Sequence, residues 1–496
     1  MNHPGGVAAP ENEAEAVQQT QRVFKSLVSG DVHGSYKTKE NVAHWRKRPL
    51  FKRSGKNLTF TSGQEAAELL VDEARRRDPY QVDFLQCVQE VSQDVAVTME
   101  GAPKLAWVFK QLMEPERLVT FRVPWTDDNG NARINRGYRI QYSSALGPYH
   151  GALRFHPHLS HGAVRMLGWE QTLKNALTGA PLGGSRGGSD FDPSNKSEHE
   201  IRRFTNAFMC ELVDFIGPGL DTLETDLGVG SSVMAALHDA YRHMDVEGAA
   251  DANSSLFGAC EVFPEASGFG SVYFAQRALE VRGESLQDKR CLISGSGTLA
   301  RSTALKLIEK GAKPITLSDD SGFIVAENGF VPGDLENIAQ IKKSKGSLKE
   351  YARLANVQFF GSGSQWEQVK GDIAFPSVIQ SEINTDDATL LADNGCLAVF
   401  ENADRACTPN AQTVLDDRGL LFAPSKAVNC GSVIASTHVG ESREEMDKAL
   451  SERMAELHDE IAETASRYGH PGDLQAGANL LSFIRIANSP MYTTEI

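Results

Sequence analysis

The segment from Lys289 to Asp319 constrains this chain more than any other. A short apolar strand (Cys291, Leu292, Ile293) leads into a tight turn (Gly295, Ser296, Gly297, Thr298, Leu299, Ala300), followed by a helix predicted over 302–310 and a second strand over 314–317. Ser318 and Asp319 end that strand, the acid standing about 20 residues beyond the turn. A lone Gly-x-Gly-x-x-Ala is common punctuation; the order strand, turn, helix, strand, acid is not. Gly295 permits the sharp turn, Gly297 lets backbone approach a pyrophosphate, and Ala300 allows close helix packing, while the helix amino terminus offers partial positive charge. A Rossmann-like dinucleotide-binding unit is expected here, with Gly295, Ser296, Gly297, Thr298, Ala300, Ser318 and Asp319 at the cofactor.

That unit fills only part of 496 residues, more than one hydrophobic core usually supports, so a second domain is expected. Asp and Glu outnumber Lys and Arg by 65 to 50, which argues against a general nucleic-acid-binding surface. The seven cysteines are scattered and odd in number, reading as reduced thiols without metal-ligand spacing. No apolar run reaches the roughly 18 residues of a membrane span, and the first residues lack a secretory pattern. An intracellular, cytoplasmic protein that holds no metal is the expectation.

A polar leader over 1–60 ends in a basic stretch with Arg46, Lys47, Arg48, Lys52, Arg53 and Lys56, read as a solvated extension. Helices follow at the spacing of Leu69, Leu70, Phe84, Val88 and Val91. Val119–Trp125 and Ile134–Tyr142 alternate apolar and polar residues around Asp127, Asp128, Asn129 and Gly130, which predicts a hairpin. A helix over 164–177, with Met166, Leu167, Leu173 and Leu177 near one face, runs into a glycine turn, Gly183 to Gly188. Arg443–Tyr468 places Met446, Leu450, Met454, Leu457 and Ile461 on one face of a further helix.

Nearly the whole chain after the leader resembles the small hexameric, bacterial and fungal type of glutamate dehydrogenase. The segments RRRDPYQVDF, EPERLVTFRVPW, SSALGPYHGALRFHP, GSDFDP, DLGVG, FPEASGFGSVYFA, LISGSGTLA, TLSDDSGFI and FAPSKAVNCG carry the likeness in that order. The resemblance implies an α/β protein of two domains: an amino-acid-binding and oligomerisation domain over 61–255, completed by 436–496, and a Rossmann-like domain over 256–435. The helix after Arg443 is expected to return to the first domain. Reversible oxidative deamination of L-glutamate to 2-oxoglutarate and ammonia is the implied activity, in a homohexamer or a mixed hexamer with a paralogue. NADP is the implied cofactor, with Lys342, Lys343 and Lys345 near its 2′-phosphate; Asp319 taken alone points to NAD.

The resemblance also assigns a site. Gln171 and Lys174, three apart on one helical face, match the pair that addresses the substrate α-carboxylate. Asp226 matches the proton-shuttling aspartate. Ser436 matches the serine at the side-chain carboxylate, and Ser267 and Asn429 stand at the nicotinamide. The bland readings are a surface lysine for Lys174 and an Asx-turn carboxylate for Asp226.

Departures fall in the same places. His150 replaces a lysine that pairs with the side-chain carboxylate, and Ser432 replaces a glycine of that pocket. Phe263 replaces an arginine, and Asp404 puts an acid where an asparagine meets the nicotinamide half of the cofactor. Arg186 replaces the catalytic lysine, whose pKa can be lowered for proton exchange, whereas guanidinium stays protonated. Arg186 either polarises the substrate electrostatically or fills the space as a salt-bridged replacement. Four functions stay open: glutamate dehydrogenase, a dehydrogenase for another amino acid, a catalytically silent structural or regulatory subunit, and a nucleotide-binding sensor.

Overall fold

The computed structural model describes residues 60–244, 263–355 and 357–493. The basic leader up to Thr59 and the domain boundary expected at 255/256 lie outside the described residues.

Three helices open the first lobe: α1 (Gly63–Arg77), α2 (Val82–Met99) and α3 (Pro103–Leu112). The expected hairpin is present as β1 (Arg117–Thr126) paired antiparallel with β2 (Ala132–Ser143), turning where the Asp127 carboxylate accepts from Asn129 and Asn131 backbone N–H. The sheet adds β3 (Tyr149–Phe155), β4 (Gly184–Ser189) and β5 (Asp221–Thr225) in the order β1-β2-β4-β3-β5. Between β3 and β4 runs α4 (His161–Thr178), capped by the Ser160 hydroxyl and ended by Gly179 at φ 71°.

The segment read as a glycine turn is a central strand, β4. Its glycines answer to packing: a Cβ on Gly184 would lie 2.0 Å from Thr172 Oγ1 of α4, and one on Gly188, at φ +139°, 1.8 Å from the Arg154 carbonyl oxygen. Glycine lets α4 and β3 close on this strand. Every residue of α4 from Val164 to Thr178 is therefore buried, rather than one apolar face.

The second lobe begins with α7 (Ala266–Val281), after α5 (Glu198–Leu212) and α6 (Ser231–Arg242) finish the first. The expected unit follows as β6 (Arg290–Ile293) and α8 (Thr298–Glu309). The strand expected over 314–317 is split. Lys313–Pro314 (β7) pairs parallel with β6, whereas Thr316–Asp319 (β8) joins a separate antiparallel sheet with β9 (Gly322–Val325) and β10 (Gln358–Phe360). Pro314 has no N–H to extend the first ladder. Parallel strands β11 (Ile373–Phe375), β12 (Ala398–Phe400) and β13 (Leu421–Ala423) complete the main sheet, in the order β13-β12-β11-β6-β7.

Two long helices close the chain. In α9 (Arg443–Arg467) the predicted stripe Met446, Leu450, Met454, Leu457 and Ile461 is buried. It packs on the helix that follows it and on α7, tied to α7 by Tyr273 to Asp447 at 2.8 Å and Arg277 to Asp459 at 2.8 Å. The fuller return to the first lobe is made by the next helix, α10 (Leu474–Ala487), which lies on α2 and α4. Among the described residues no helix is long and apolar enough to cross a membrane.

Candidate active site

Strand alternation assembles the site. On parallel strands β3 and β5, His150 is opposite Thr222 and Ala152 opposite Glu224; on β4, Leu153 is opposite Gly187. His150, Ala152, Arg154, Arg186, Thr222 and Glu224 thus share one sheet face, since residues two apart point the same way. Asp226 follows one step beyond β5.

Above this face lies a cavity of about 420 Å³ between the lobes. The first lobe lines it with Arg154, Lys174, Arg186, Glu224 and Asp226, and the second with Ser267, Gly297, Thr298, Arg301, Asp404, Asn429 and Ser432.

Lys174 is 6% exposed, which rules out the surface reading. No hydrogen-bond or ion-pair partner meets its ammonium among the described residues, although the Glu224 charge lies near. A buried cation with free donors, facing a cavity, suits a carboxylate.

Arg186 is spoken for. Its Nη1 donates to Gln171 Oε1 at 2.5 Å, and its Nη2 to Asp226 Oδ2 at 2.7 Å and Asp404 Oδ2 at 2.8 Å. Arg154 joins from the other side, with Nε 2.7 Å from Asp226 Oδ2 and Nη1 2.9 Å from Gln380 Oε1. Burial raises the Asp226 pKa, but the Arg154 and Arg186 guanidiniums outweigh it and hold the carboxyl well below the usual range. Burial would lower the Arg186 pKa, yet Asp226 and Asp404 raise it above its ordinary value. The space-filling, salt-bridged reading of Arg186 is the geometry observed.

Several expected roles are redistributed. Gln171 does not line the cavity: it accepts from Arg186 and donates to Asn175 Oδ1 at 2.8 Å, so it supports Arg186 from behind. Ser436 gives its hydroxyl to the Val433 carbonyl at 2.7 Å, and of these two serines it is Ser432 that lines the cavity. His150 is buried beneath, with Nδ1 2.6 Å from Thr222 Oγ1 and Nε2 3.1 Å from Glu224 Oε1. Phe263 packs in the core, edge-on to Phe269 at 5.6 Å.

The dinucleotide turn has the sharp bend expected at Gly295. Gly295 sits at φ +80°, and its N–H donates to Ser318 Oγ at 2.8 Å, so Ser318 braces the turn. Gly297 differs: its φ is ordinary and a Cβ there would meet nothing within 4 Å. The protein itself does not require that glycine, which leaves close approach by a ligand as its physical reason. Asn429 donates to the Asn402 carbonyl at 2.7 Å while its own Oδ1, buried, has no partner among the described residues. These features fit a nicotinamide dinucleotide. Ser296 is buried beneath the turn and Ala300 in the helix behind it. Asp319 is less free than expected: its carboxylate accepts from Lys342 Nζ at 2.8 Å, Leu348 N–H at 2.8 Å and Ser321 N–H at 2.9 Å.

Sequence reasoning passed over Arg154, Glu224, Gln380 and Glu170. Glu224 was accessible, standing two residues before Asp226 on a strand. Glu170 lies behind the site, bridging Lys426 at 3.0 Å and Arg405 at 3.5 Å, and gave no signal because its helix reads as amphipathic.

The chain matches two family models, Glutamate/Leucine/Phenylalanine/Valine dehydrogenase over residues 258–493 and Glu/Leu/Phe/Val dehydrogenase, dimerisation domain, over 115–243. It is 39% identical over 433 residues to the NADP-specific glutamate dehydrogenase of Chlorella sorokiniana, covering 85% of this chain and 82% of that one. With the NADP-specific glutamate dehydrogenase of Giardia intestinalis it shares 37% identity, covering 86% of this chain and 98% of the other. The crystal structure of Plasmodium falciparum glutamate dehydrogenase superposes with a TM-score of 0.81 at 34% identity, covering 93% of this chain and 100% of that one.

Proposed function

We propose, for a chain that belongs to the Glu/Leu/Phe/Val dehydrogenase family, an NADP-dependent amino-acid dehydrogenase whose proton transfer is held back by Arg186. The reaction converts an L-amino acid, water and NADP⁺ into the 2-oxo acid, ammonium, NADPH and a proton, and runs in reverse. L-Glutamate is the first substrate to test, being the one in the relatives' names. The observation that carries the reading is the single cavity that sets the free, buried Lys174 opposite the open Gly297 turn.

NADP supplies the hydride acceptor at the substrate α-carbon. Gly297, Thr298, Arg301, Ser267 and Asn429 would hold it, with Gly295, Ser296, Ala300 and Ser318 shaping the turn beneath. NADP is preferred to NAD because Asp319 is committed to Lys342 and to the Leu348 N–H, leaving it poorly placed to select an unphosphorylated ribose. Lys174 binds the α-carboxylate, and the sheet face of β3 and β5 receives the side chain. Asp226 would move protons at the substrate nitrogen, but two guanidiniums keep it ionised, and Arg186 releases no proton near neutrality.

The closed cluster Arg154, Asp226, Arg186 and Asp404 favours a second reading, a silent subunit that retains fold and assembly. A homohexamer, or a mixed hexamer with an active paralogue, is the assembly proposed, supported by the match to a dimerisation domain. Purified protein assayed with 2-oxoglutarate, ammonia and NADPH, beside Arg186→Lys, decides between the readings. Recovery in the variant supports an impaired dehydrogenase; inactivity of both with 2-oxoglutarate and with the 2-oxo acids of other amino acids supports the silent subunit.

A further inference from the structure

Glu224 is an acid without a task in the reaction as described. Its side chain is 7% exposed, lines the same cavity as Lys174 and Ser432, and lies 3.1 Å from His150 Nε2. Burial pushes its pKa up, but His150, Lys174 and Ser432 bring it down to about 2, so the carboxylate is charged throughout the neutral range.

Four further charges of the cavity cancel in pairs, and Arg301, at the Gly295 turn, donates to the Ser296 carbonyl. Arg154 and Arg186 face Asp226 and Asp404. Lys174 is left for a carboxylate, and Glu224, whose ion pair among the described residues is with the His150 imidazole, is left for something else. A substrate held at Lys174 by its α-carboxylate and extended over the β3 and β5 face brings its side chain to Glu224. A second carboxylate there would face a buried like charge, and like-charge juxtaposition in a desolvated site excludes ligands strongly. A terminal N–H donor would find a charged acceptor.

Resting on the reading of Lys174 as the α-carboxylate partner, we infer that Glu224 selects amino acids whose side chain ends in an N–H donor, an ammonium or a carboxamide, and rejects dicarboxylates.

Calorimetric titration of the NADP-saturated protein with L-ornithine, L-glutamine, L-glutamate and the uncharged control L-norvaline tests this without requiring turnover. At least one of ornithine and glutamine is expected to bind about tenfold or more tighter than glutamate. Ornithine ahead of glutamine identifies the ammonium, and the reverse order the carboxamide. In Glu224→Gln, with its fold checked by thermal melting, the advantage over glutamate is expected to disappear. Glutamate binding as tightly as both donors in the wild type overturns the inference, as does an unchanged order in Glu224→Gln. Failure of all four ligands to bind, norvaline included, overturns the amino-acid site itself and the inference with it; norvaline binding with glutamate preferred overturns the role of Glu224 alone.

Discussion

Arg186 of the first lobe and Asp404 of the second face each other across the cleft at 2.8 Å, so two departures from the family pattern neutralise one another. An acid near the nicotinamide site is tolerable because the guanidinium meets it, and the guanidinium is tolerable in a cavity for the same reason. Asp404→Asn alone is expected to destabilise the protein, and the pair Arg186→Lys with Asp404→Asn to recover part of the loss. In urea unfolding the coupling should fall within about 0.5–3 kcal/mol, the range for residues in one charge network. Strict additivity of the two changes would show that the pair does not act as a unit.

Arg186→Lys should raise turnover with 2-oxoglutarate and ammonia, or with the preferred 2-oxo acid. Restoring a positioned proton-transfer group is worth about 10²- to 10⁴-fold, and wild-type kcat is expected at least about two decades below a typical 10 s⁻¹. Initial-rate measurements of NADPH oxidation check this, and a wild-type rate in the ordinary range would remove the impaired-enzyme reading.

Gly297→Val is expected to fold with little loss of stability, since a Cβ there meets nothing within 4 Å, and to abolish NADP binding. Fluorescence titration with NADPH gives the binding, and melting gives the fold. In the wild type NADP should bind more tightly than NAD.

Stability should fall in acid through Glu224. Its carboxyl is pushed down to about 2 from an ordinary 4.5, so its contribution is fully present above pH 4.5 and lost as pH falls through about 2. The shift corresponds to something on the order of 3 kcal/mol. Denaturant unfolding from pH 6 to pH 2 should show a shallower decline for Glu224→Gln than for wild type.

Much of the architecture was legible because local chemistry dictated it. The hairpin around Asp127, the turn at Gly295 and the α9 stripe each rest on short-range rules, and each is found where those rules put it. The errors came from tertiary packing. Glycines from Gly183 to Gly188 read as a turn because glycine punctuates loops, yet here it admits α4 against a central strand. At the site, Lys174 and Asp226 could be picked out by motif. Arg154, Asp404 and Gln380 close around Arg186 only when distant segments meet, and no spacing rule encodes a contact between positions 154 and 380.

Light scattering at micromolar concentration should report the proposed hexamer, whatever the turnover, since assembly does not require catalysis. A monomer would remove the main support for a useful silent form.

The return of α10 to the first lobe makes one of its central helices depend on a segment far along the chain. Asn479 accepts from Lys426 at 2.9 Å and donates to Asp94 at 2.6 Å, and α10 walls the side of α4, the helix that carries Lys174. The helix that carries Lys174 is therefore buttressed by residues that follow the whole second lobe in sequence. A product ending before Leu474 would keep the Gly295 turn but lack that buttress behind Lys174.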